Sequence, residues 1–546
     1  MSTATPTSMN NASDRDPHNN NCYGTLLDSD YVQVDLPVLD VLDFNNRIIQ
    51  SYEDGTGPDL LPADESVARS LIPAGTAALR DFSYVSPEIP DYIPENCTGC
   101  MECVTECPDT AILAKVLAEP DFEGKLEGLP EDEKTLYDLQ WSKTQKYYDG
   151  PKKKGKEGGR FAIIIDPSKC KGCAECVTVC DDLALKMIDK TDDTMDMIRK
   201  SHRFFKEVGP SDETYINDNV LVDMMLKEST HVYVGGAGSC AGCGEGTALR
   251  MLCSATGLKY GNDWGIVAAT GCNTVYTSTY PYNPYLVPWT NSLFENAAAD
   301  ALGVRMRWDQ IGWSEKPLWC IGGDGAMFDI GFQSLSRMLA SGANIKAFVL
   351  DTQVYSNTGG QASTGTFTGQ NAKMSSHGKK EQGKSERRKE IAQIAMMHPR
   401  TYVAQTTPAH MNHFYKCVLA ALEFDGPAVI NCYTTCQPEH GVADNMAADQ
   451  ARLAVDGRAF PLLSYDPSKG NTIKKCLSLQ GNPAVKDDWY VNPKTKDQVD
   501  FIDFARSEGR FSKHFDRDGN PTELLMRANR ERLENWNQLQ ELAGII

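Results

Sequence analysis

The sequence predicts a large α/β domain, a mostly parallel sheet with helices on both faces, preceded by a smaller α+β domain organised around metal. Three observations carry this. Eight cysteines fall in two near-identical runs, CTGCMECVTECP (Cys97, Cys100, Cys103, Cys107) and CKGCAECVTVCD (Cys170, Cys173, Cys176, Cys180). From about residue 230 short apolar runs alternate with helical stretches, the texture of a helix-covered parallel sheet. Two of those apolar runs end in polar, glycine-rich segments, GGDG at 322–325 and DTQVYSNTGG at 351–360.

Each cysteine run reads C-x2-C-x2-C-x3-C, the ligand spacing of a two-cluster 4Fe–4S protein. Three cysteines in a tight loop grip three irons, and a distant fourth closes the cage. In such proteins the fourth cysteine of each run serves the other run's cluster. That assigns Cys97, Cys100, Cys103 and Cys180 to one cluster, and Cys170, Cys173, Cys176 and Cys107 to a second. Zinc is the plainer alternative, but zinc sites take four ligands in two pairs rather than two runs of four. Pro108 follows Cys107 as the motif expects; Asp181 stands where the second proline would be, which removes no ligand. The chain is expected to carry electrons.

With 546 residues there is room for roughly three or four domains. The 18 cysteines are not read as a disulfide framework, because the opening MSTATPTSMNNASDRDPHNNN is polar and lacks the apolar core of a signal peptide. No stretch reaches the apolar length of a membrane span. A formal charge of −20 argues against nucleic acid as a partner. A soluble, cytoplasmic protein is expected. The organisation expected is an N-terminal extension over 1–85 with a disordered start, a two-cluster domain over 86–229, an α/β domain over 230–440, and a C-terminal extension over 441–546. Between the cysteine runs lies a long insertion with an acidic stretch, Glu131-Asp132-Glu133, and a basic run, Lys152-Lys153-Lys154-Gly155-Lys156, read as a solvated loop rather than a docking patch. A strand over 161–165 leads into the second run.

In the α/β domain, strands are expected over 265–269, 318–321, 345–350, 402–404 and 428–432. Helices are expected over 292–302, 330–340, 390–397 and 409–423. Ligands of such sheets bind at the carboxyl ends of the strands. Gly323 and Gly325 let backbone approach a phosphate, and Asp324 is a hard oxygen ligand suited to magnesium bridging two phosphates. Thr352 adds a hydroxyl and Val354 a backbone carbonyl. GDG alone is a common turn. Followed one strand–helix–strand later by a polar, Asn-containing strand end, it is the pattern of thiamine-diphosphate enzymes.

Four further cysteines stand at strand ends or glycine-rich turns: Cys240 and Cys243 in GSCAGCGEG, Cys272 in ATGC, and Cys436 in NCYTTC. Glycines around the CAGC sulfurs leave room for a cluster. Cys253, Cys320, Cys417, Cys432 and Cys476 have apolar or helical neighbours and read as small buried hydrophobes; Cys22 lies in the polar leader.

Together these stretches resemble the pyruvate:ferredoxin (flavodoxin) oxidoreductase family, specifically the half made of a ferredoxin-like module and a thiamine-diphosphate-binding domain. The two cysteine runs, GSCAGCGEG, ATGC, NSLFENAA, GGDGAMFDIGFQSL, DTQVYSNTGGQAS, NCYTTC and AVDGRAFPLLSYDP follow the family's order over roughly 85–470. The resemblance implies an α/β thiamine-diphosphate-binding domain preceded by an α+β two-cluster ferredoxin-like domain. It implies that Cys240, Cys243, Cys272 and Cys436 hold a third 4Fe–4S cluster next to the cofactor. Asp324, Thr352 and the Val354 carbonyl would hold Mg2+. Gly323, Gly325 and Thr358 would line the cofactor, and Asn357 would stand close to the thiazolium and substrate as the catalytic residue.

The implied reaction is thiamine-diphosphate-dependent oxidative decarboxylation of a 2-oxoacid, pyruvate first, to acyl-CoA and CO2. Electrons would pass through three 4Fe–4S clusters to ferredoxin or flavodoxin. Single-chain members carry large domains ahead of the cysteine runs, one of which supplies the glutamate that activates the cofactor's pyrimidine. This chain has no counterpart, so a partner subunit carrying that glutamate is expected. Alternatives are a 2-oxoglutarate or aryl-pyruvate oxidoreductase subunit, a polyferredoxin-type electron carrier without catalysis, and a non-redox thiamine-dependent decarboxylase. His440 is read as an exposed loop histidine rather than an acid–base group. Lys379, Lys380 and Lys384 are read as a mobile, solvated loop rather than a contact to coenzyme A phosphates.

Overall fold

In the computed structural model, which describes residues 41–61, 71–217, 220–378 and 382–546, the two cysteine runs are built on a repeated unit. Strand β1 (Glu88–Tyr92) leads into the first run, then a short helix, Glu102–Glu106, and strand β2 (Ile112–Ala118). Strand β3 (Gly159–Ile165), helix Glu175–Thr178 and strand β4 (Leu185–Asp189) repeat the order. The units interlock as antiparallel pairs, β1 with β4 (Glu88 opposite Asp189) and β2 with β3 (Ile112 opposite Ile165). The repeat extends to the backbone. Met101 and Ala174, at φ 73° and 63°, and Thr110 and Leu183, both at 53°, hold left-handed conformations at matching positions. Such residues cost about 1–3 kcal/mol each and persist only where the surroundings fix them.

The insertion between β2 and β3 forms its own small core. Phe122 stacks on Trp141 with centroids 5.3 Å apart, and Tyr137 on Phe204 of helix Asp192–Glu207 at 4.0 Å. Glu131, Asp132 and Glu133 make the first turn of helix Glu131–Gln140, where acidic side chains favour the positive helix end. The lysines of 152–156 are exposed, and Lys152 pairs with Glu119 just past the end of β2.

The main sheet has eight strands. Its members are β5 (Gly265–Ala269), β6 (Trp289–Ser292), β7 (Leu318–Gly323), β8 (Lys346–Asp351), β9 (Tyr402–Thr406), β10 (Ala428–Tyr433), β11 (Leu463–Tyr465) and β12 (Leu477–Ser478). The order across the sheet is β12-β11-β9-β10-β8-β7-β5-β6, parallel from β9 to β6 and antiparallel at the β11–β12 edge. Successive side chains face opposite cores. Ile266, Trp319, Phe348 and Ile430 face a core closed by helices Gly244–Tyr260 and Met411–Glu423. Val267, Cys320, Val349 and Val429 face the opposite core, closed by helices Ala297–Gln310, Phe332–Ala340 and Glu523–Ala543. Burial on both faces explains why these strands read as continuous apolar runs. Each such side chain contributes about 1.5–3 kcal/mol.

The five expected strands are present, each within two residues of its expected bounds. The helix expected over 292–302 begins later, at Ala297, because Trp289–Ser292 adds a strand beside β5. Residues past 440 are no appendage: β11 and β12 extend the sheet, and Trp536 and Leu539 enter its second core. In the N-terminal segment, Gly75 and Ala77 donate to the carbonyls of Tyr285 and Asn283, while Lys169 Nζ reaches Ala78 O at 2.7 Å. That strand of chain ties the cysteine module to the sheet domain. The readings made for residues 1–40, Cys22, Lys379 and Lys380 lie outside the described residues.

Candidate functional site

The carboxyl ends of four parallel strands deliver the singled-out residues to one side of the sheet. Cys272 follows β5, Asp324 follows β7, Thr352 follows β8, and Cys436 lies three residues past β10. β7 and β8 are neighbours, and so are β8 and β10. This is the crevice edge where ligands of parallel sheets bind.

Asp324 is buried, as are Thr352 and Val354. Thr352 Oγ1 lies 3.4 Å from Asp324 Oδ1 and 3.1 Å from the Val354 carbonyl, so the three expected donors meet. Ser363 Oγ donates to the other Asp324 oxygen, a contact the sequence did not point to. Burial, and then the Asp351 carboxylate, push the Asp324 carboxyl well above the usual range. A buried acid in an all-oxygen setting is what a hard dication placed beside it would relieve, so the residues fit magnesium. Gly325 packs under the Tyr355 ring, and a β-carbon there would overlap it. Gly323 has open space on its β-carbon side apart from the Leu350 carbonyl at 3.7 Å. Asn357 and Thr358 are exposed on the loop after β8, with Thr358 Oγ1 donating to Gln361 Oε1 at 2.5 Å.

Behind this loop lies a buried polar network. Asp351 pairs with Arg388 and accepts from Asn431 Nδ2 at 3.2 Å. Gln353, at φ 58°, is held by Arg510 Nη1 at 2.9 Å and by Thr366 Oγ1, which donates to its carbonyl at 2.6 Å. Arg510 in turn binds Glu508, with Nε to Oε2 at 2.6 Å. His440 belongs to this network and is fully buried, which corrects the expectation of an exposed loop histidine. Its Nε2 donates to the Thr352 carbonyl at 2.9 Å, and Glu508 lies 3.6 Å from Nδ1. Burial, and then Arg510, hold the ring well below its usual pKa, so it is neutral. Lys384 is likewise buried rather than solvated: its Nζ donates to the Thr366 carbonyl at 2.9 Å, and burial draws it down to about 8. His440 is fixed by Thr352, 88 residues away in the chain, and Lys384 by carbonyls of the loop at 364–366, contacts that no sequence pattern marks.

The cysteines gather in three sets. Cys97, Cys100 and Cys103 each feel the charge of Cys180 from the other run; Cys170, Cys173 and Cys176 each feel that of Cys107. The fourth cysteines thus cross over. A pocket is lined by Cys97, Cys100, Cys103 and Cys180 together with Tyr92 and Leu185. Cys272 faces Cys243, Cys436 and Cys240, which forms the third set. Burial raises the thiols, Cys170 and Cys436 to about 12 and Cys103, Cys176 and Cys243 well above their usual value. Holding such thiols as thiolates requires a positive centre among them.

The glycines beside Cys243 also permit close packing. A β-carbon on Gly242 (φ +68°) would overlap the Asp444 carbonyl, and one on Gly244 would lie 2.5 Å from the Thr435 nitrogen. They let the CAGC turn press against the strand end that carries Cys436. Three buried charges lock the module to the sheet domain. Arg250 donates to the carbonyls of Val104, Cys107 and Ile112; Lys171 binds Asp109 Oδ1 at 2.6 Å and the Ser239 carbonyl at 2.8 Å; Glu175 accepts from the Ala447 and Ala448 amides. Glu245, beside the third set, is raised to about 8 by burial and has one carboxyl oxygen without a hydrogen-bond partner.

No helix among the described residues is long and apolar enough to cross a membrane. The family "Thiamine pyrophosphate enzyme, C-terminal TPP binding domain" matches residues 269–432, from the end of β5 through β10. The chain is 27% identical over 514 residues to the probable pyruvate-flavodoxin oxidoreductase of Escherichia coli (strain K12), covering 81% of this chain and 41% of that one. It is 28% identical over 538 residues to the pyruvate:ferredoxin oxidoreductase of Moorella thermoacetica, covering 83% and 42%. A solved 2-oxoglutarate:ferredoxin oxidoreductase from Magnetococcus marinus aligns at a TM-score of 0.32 and 20% identity, over 37% of this chain and 64% of that one, a likeness too loose to argue from. The chain spans about two fifths of the length of the curated relatives it matches. Over about four fifths of its length the chain is similar to pyruvate-flavodoxin and pyruvate:ferredoxin oxidoreductases, and residues 269–432 match the C-terminal thiamine pyrophosphate-binding domain family.

Proposed function

We propose that this chain is the cofactor-binding and electron-carrying part of a 2-oxoacid oxidoreductase, with pyruvate as the leading substrate. Its products would be an acyl-CoA and CO2, and its electron acceptor a ferredoxin or flavodoxin. One observation carries this reading: Cys272, Asp324, Thr352 and Cys436 emerge from the same side of one sheet, so a redox cluster and a diphosphate site would be neighbours. Asp324, Thr352 and the Val354 carbonyl would hold Mg2+ and through it the diphosphate. Gly323, Gly325 and Thr358 would line the cofactor, and Asn357 would face the reacting end.

Bound thiamine diphosphate supplies the decarboxylating carbon centre, and bound 4Fe–4S clusters supply one-electron acceptors. The chain's own work is to bind and insulate. The buried network of Asp351, Arg388, Gln353 and Arg510 fixes the β8 loop, and neutral His440 anchors the Thr352 carbonyl. The assigned ligand sets are Cys240, Cys243, Cys272 and Cys436; Cys170, Cys173, Cys176 and Cys107; and Cys97, Cys100, Cys103 and Cys180. Cys103 neighbours Cys176, and Lys171, next to Cys170, hydrogen-bonds Ser239, next to Cys240, which supports passage of electrons from one set to the next. We assign the chain to the reducing cytoplasm, where such thiolates persist.

Because the matched relatives are longer, we propose the full reaction for this chain together with the sequence that completes them, including the carboxylate that activates the pyrimidine. The test is anaerobic dye reduction by that assembly. Reduction that requires coenzyme A, with pyruvate preferred over 2-oxoglutarate and aryl-pyruvates, is expected. Preference for another 2-oxoacid would change the substrate, and coenzyme A-independent decarboxylation without dye reduction would refute the reading.

A further inference from the structure

The two cysteine runs correspond residue for residue, CTGCMECVTECPDT at 97–110 with CKGCAECVTVCDDL at 170–183. Asp109 and Thr110 therefore have Asp182 and Leu183 as counterparts, and Lys171 has Thr98. Thr110 and Leu183 make the same left-handed turn, both at φ 53°. The two corners meet different surroundings. At the first, Asp109 is buried and pairs with Lys171 Nζ at 2.6 Å, and the same Nζ donates to the Ser239 carbonyl at 2.8 Å. Thr110 Oγ1 donates to the Tyr233 carbonyl at 3.0 Å. This corner is the seam between the cysteine module and the sheet domain.

The second corner faces solvent. Thr98 Oγ1 donates to Asp182 Oδ2 at 2.6 Å, a hydroxyl where the first corner has a lysine. Asn96 Nδ2 holds the Leu183 carbonyl at 3.1 Å, and the Leu183 side chain is left 71% exposed. A bulky residue in a left-handed turn is costly where glycine or asparagine would serve, and an exposed side chain offsets little of that cost. Asp181, Asp182 and Glu95 are exposed around it, and among the described residues none of the three has a cation at ion-pair distance. Lys186 and Arg452 pair with Asp91 and Glu102 instead. Cys100 is exposed here and lines one pocket with Asp182. The other exposed ligand, Cys240, belongs to the set beside the diphosphate site.

We infer that the corner at Asp181–Leu183 docks the external electron carrier, a protein whose redox centre is rimmed by lysine or arginine. A carrier cation pairs with Asp182 as Lys171 pairs with Asp109, and Leu183 meets an apolar patch beside the carrier's centre. One electron leaves the reduced first cluster at its Cys100 edge and reduces the carrier; no covalent bond changes. Opposite charge acts chiefly on the association rate, and salt screens it. The inference rests on the function proposed above and narrows its carrier to one with a basic face.

The test uses the full chain, with clusters reconstituted anaerobically and reduced by limiting dithionite, mixed in stopped flow with two probes. One is cytochrome c, with its basic haem edge; the other is succinylated cytochrome c, whose lysines have become acidic. The natural chain should reduce the basic form faster, at a rate that falls with salt. Asp181→Asn with Asp182→Asn keeps the Thr98 hydrogen bond and removes both charges. It should slow the basic form about three- to tenfold at low ionic strength and flatten the salt dependence. Leu183→Asn suits the turn, and should slow the basic form while keeping the salt dependence. Glu123→Gln with Asp132→Asn, the same charge change on the exposed insertion, should leave the rate unchanged. Faster reduction of the succinylated form, or an equal loss in the insertion pair, overturns the docking corner alone, as does no loss in the corner variants. A chain with no cluster EPR signal after reconstitution overturns the proposed function and the docking corner with it.

Discussion

Cys243 and Gly242 make the sharpest residue-scale tests. Cys243→Ala removes one ligand of the third set and leaves the runs at 97–107 and 170–180 intact. Bound iron should fall from about 12 to about 8 per chain, three cubanes becoming two, as iron analysis would show. Loss of all iron, or of none, would break the ligand assignment. Gly242→Ala adds a β-carbon against the Asp444 carbonyl at a positive φ. A cost of about 1–3 kcal/mol is expected, with weakened third-set EPR and the other signals unchanged. Much of the site could be read from such residues. The cysteine spacings, the GDG turn and the DTQVYSNTGG strand end are local patterns whose chemistry needs those residues at those separations. His440, Lys384 and Ser356 could not be read that way. The first two owe their burial to partners such as Thr352, Glu508 and Thr366, brought close only by folding. Ser356 Oγ lies 2.7 Å from Thr352 Oγ1 at the end of β8, a contact no spacing encodes.

At the scale of elements, the β8 loop depends on the ion pair between Arg388 and Asp351, both buried. Arg388→Met strands Asp351 as an unpaired buried carboxylate, so a loss of about 3–5 kcal/mol is expected, seen as a lowered unfolding midpoint and weaker thiamine diphosphate binding. A midpoint unchanged within error would mean that the Asn431 and Gln353 donors satisfy Asp351 without Arg388. The strands were legible because burial on both faces leaves unbroken apolar runs, as in GIVAA and KAFVLD. Trp289–Ser292 was not, because this edge strand is polar and half-exposed and carries no such run. β11 and β12 are too short and too mixed to stand out, although they complete the sheet.

At the scale of the molecule, folding buries histidines away from the cysteine sets. His231, His410 and His413 are each drawn down to about 4, chiefly by burial, from 6.5. The folded value lies below the unfolded one, so their contribution is present above pH 6.5 and is lost as pH falls toward 4. The slope is up to about 1.4 kcal/mol per pH unit for each histidine. Unfolding midpoints between pH 7 and pH 5 should therefore fall more steeply in the natural chain than in His413→Gln. Parallel curves would contradict the assignment. We propose that one sheet end holds thiamine diphosphate beside the first of three iron–sulfur cages. Metal and cofactor analysis of the anaerobically purified chain tests this most directly. About 12 irons, a matching amount of acid-labile sulfide and bound thiamine diphosphate with Mg2+ are predicted; a preparation with neither iron nor thiamine diphosphate after reconstitution would contradict it.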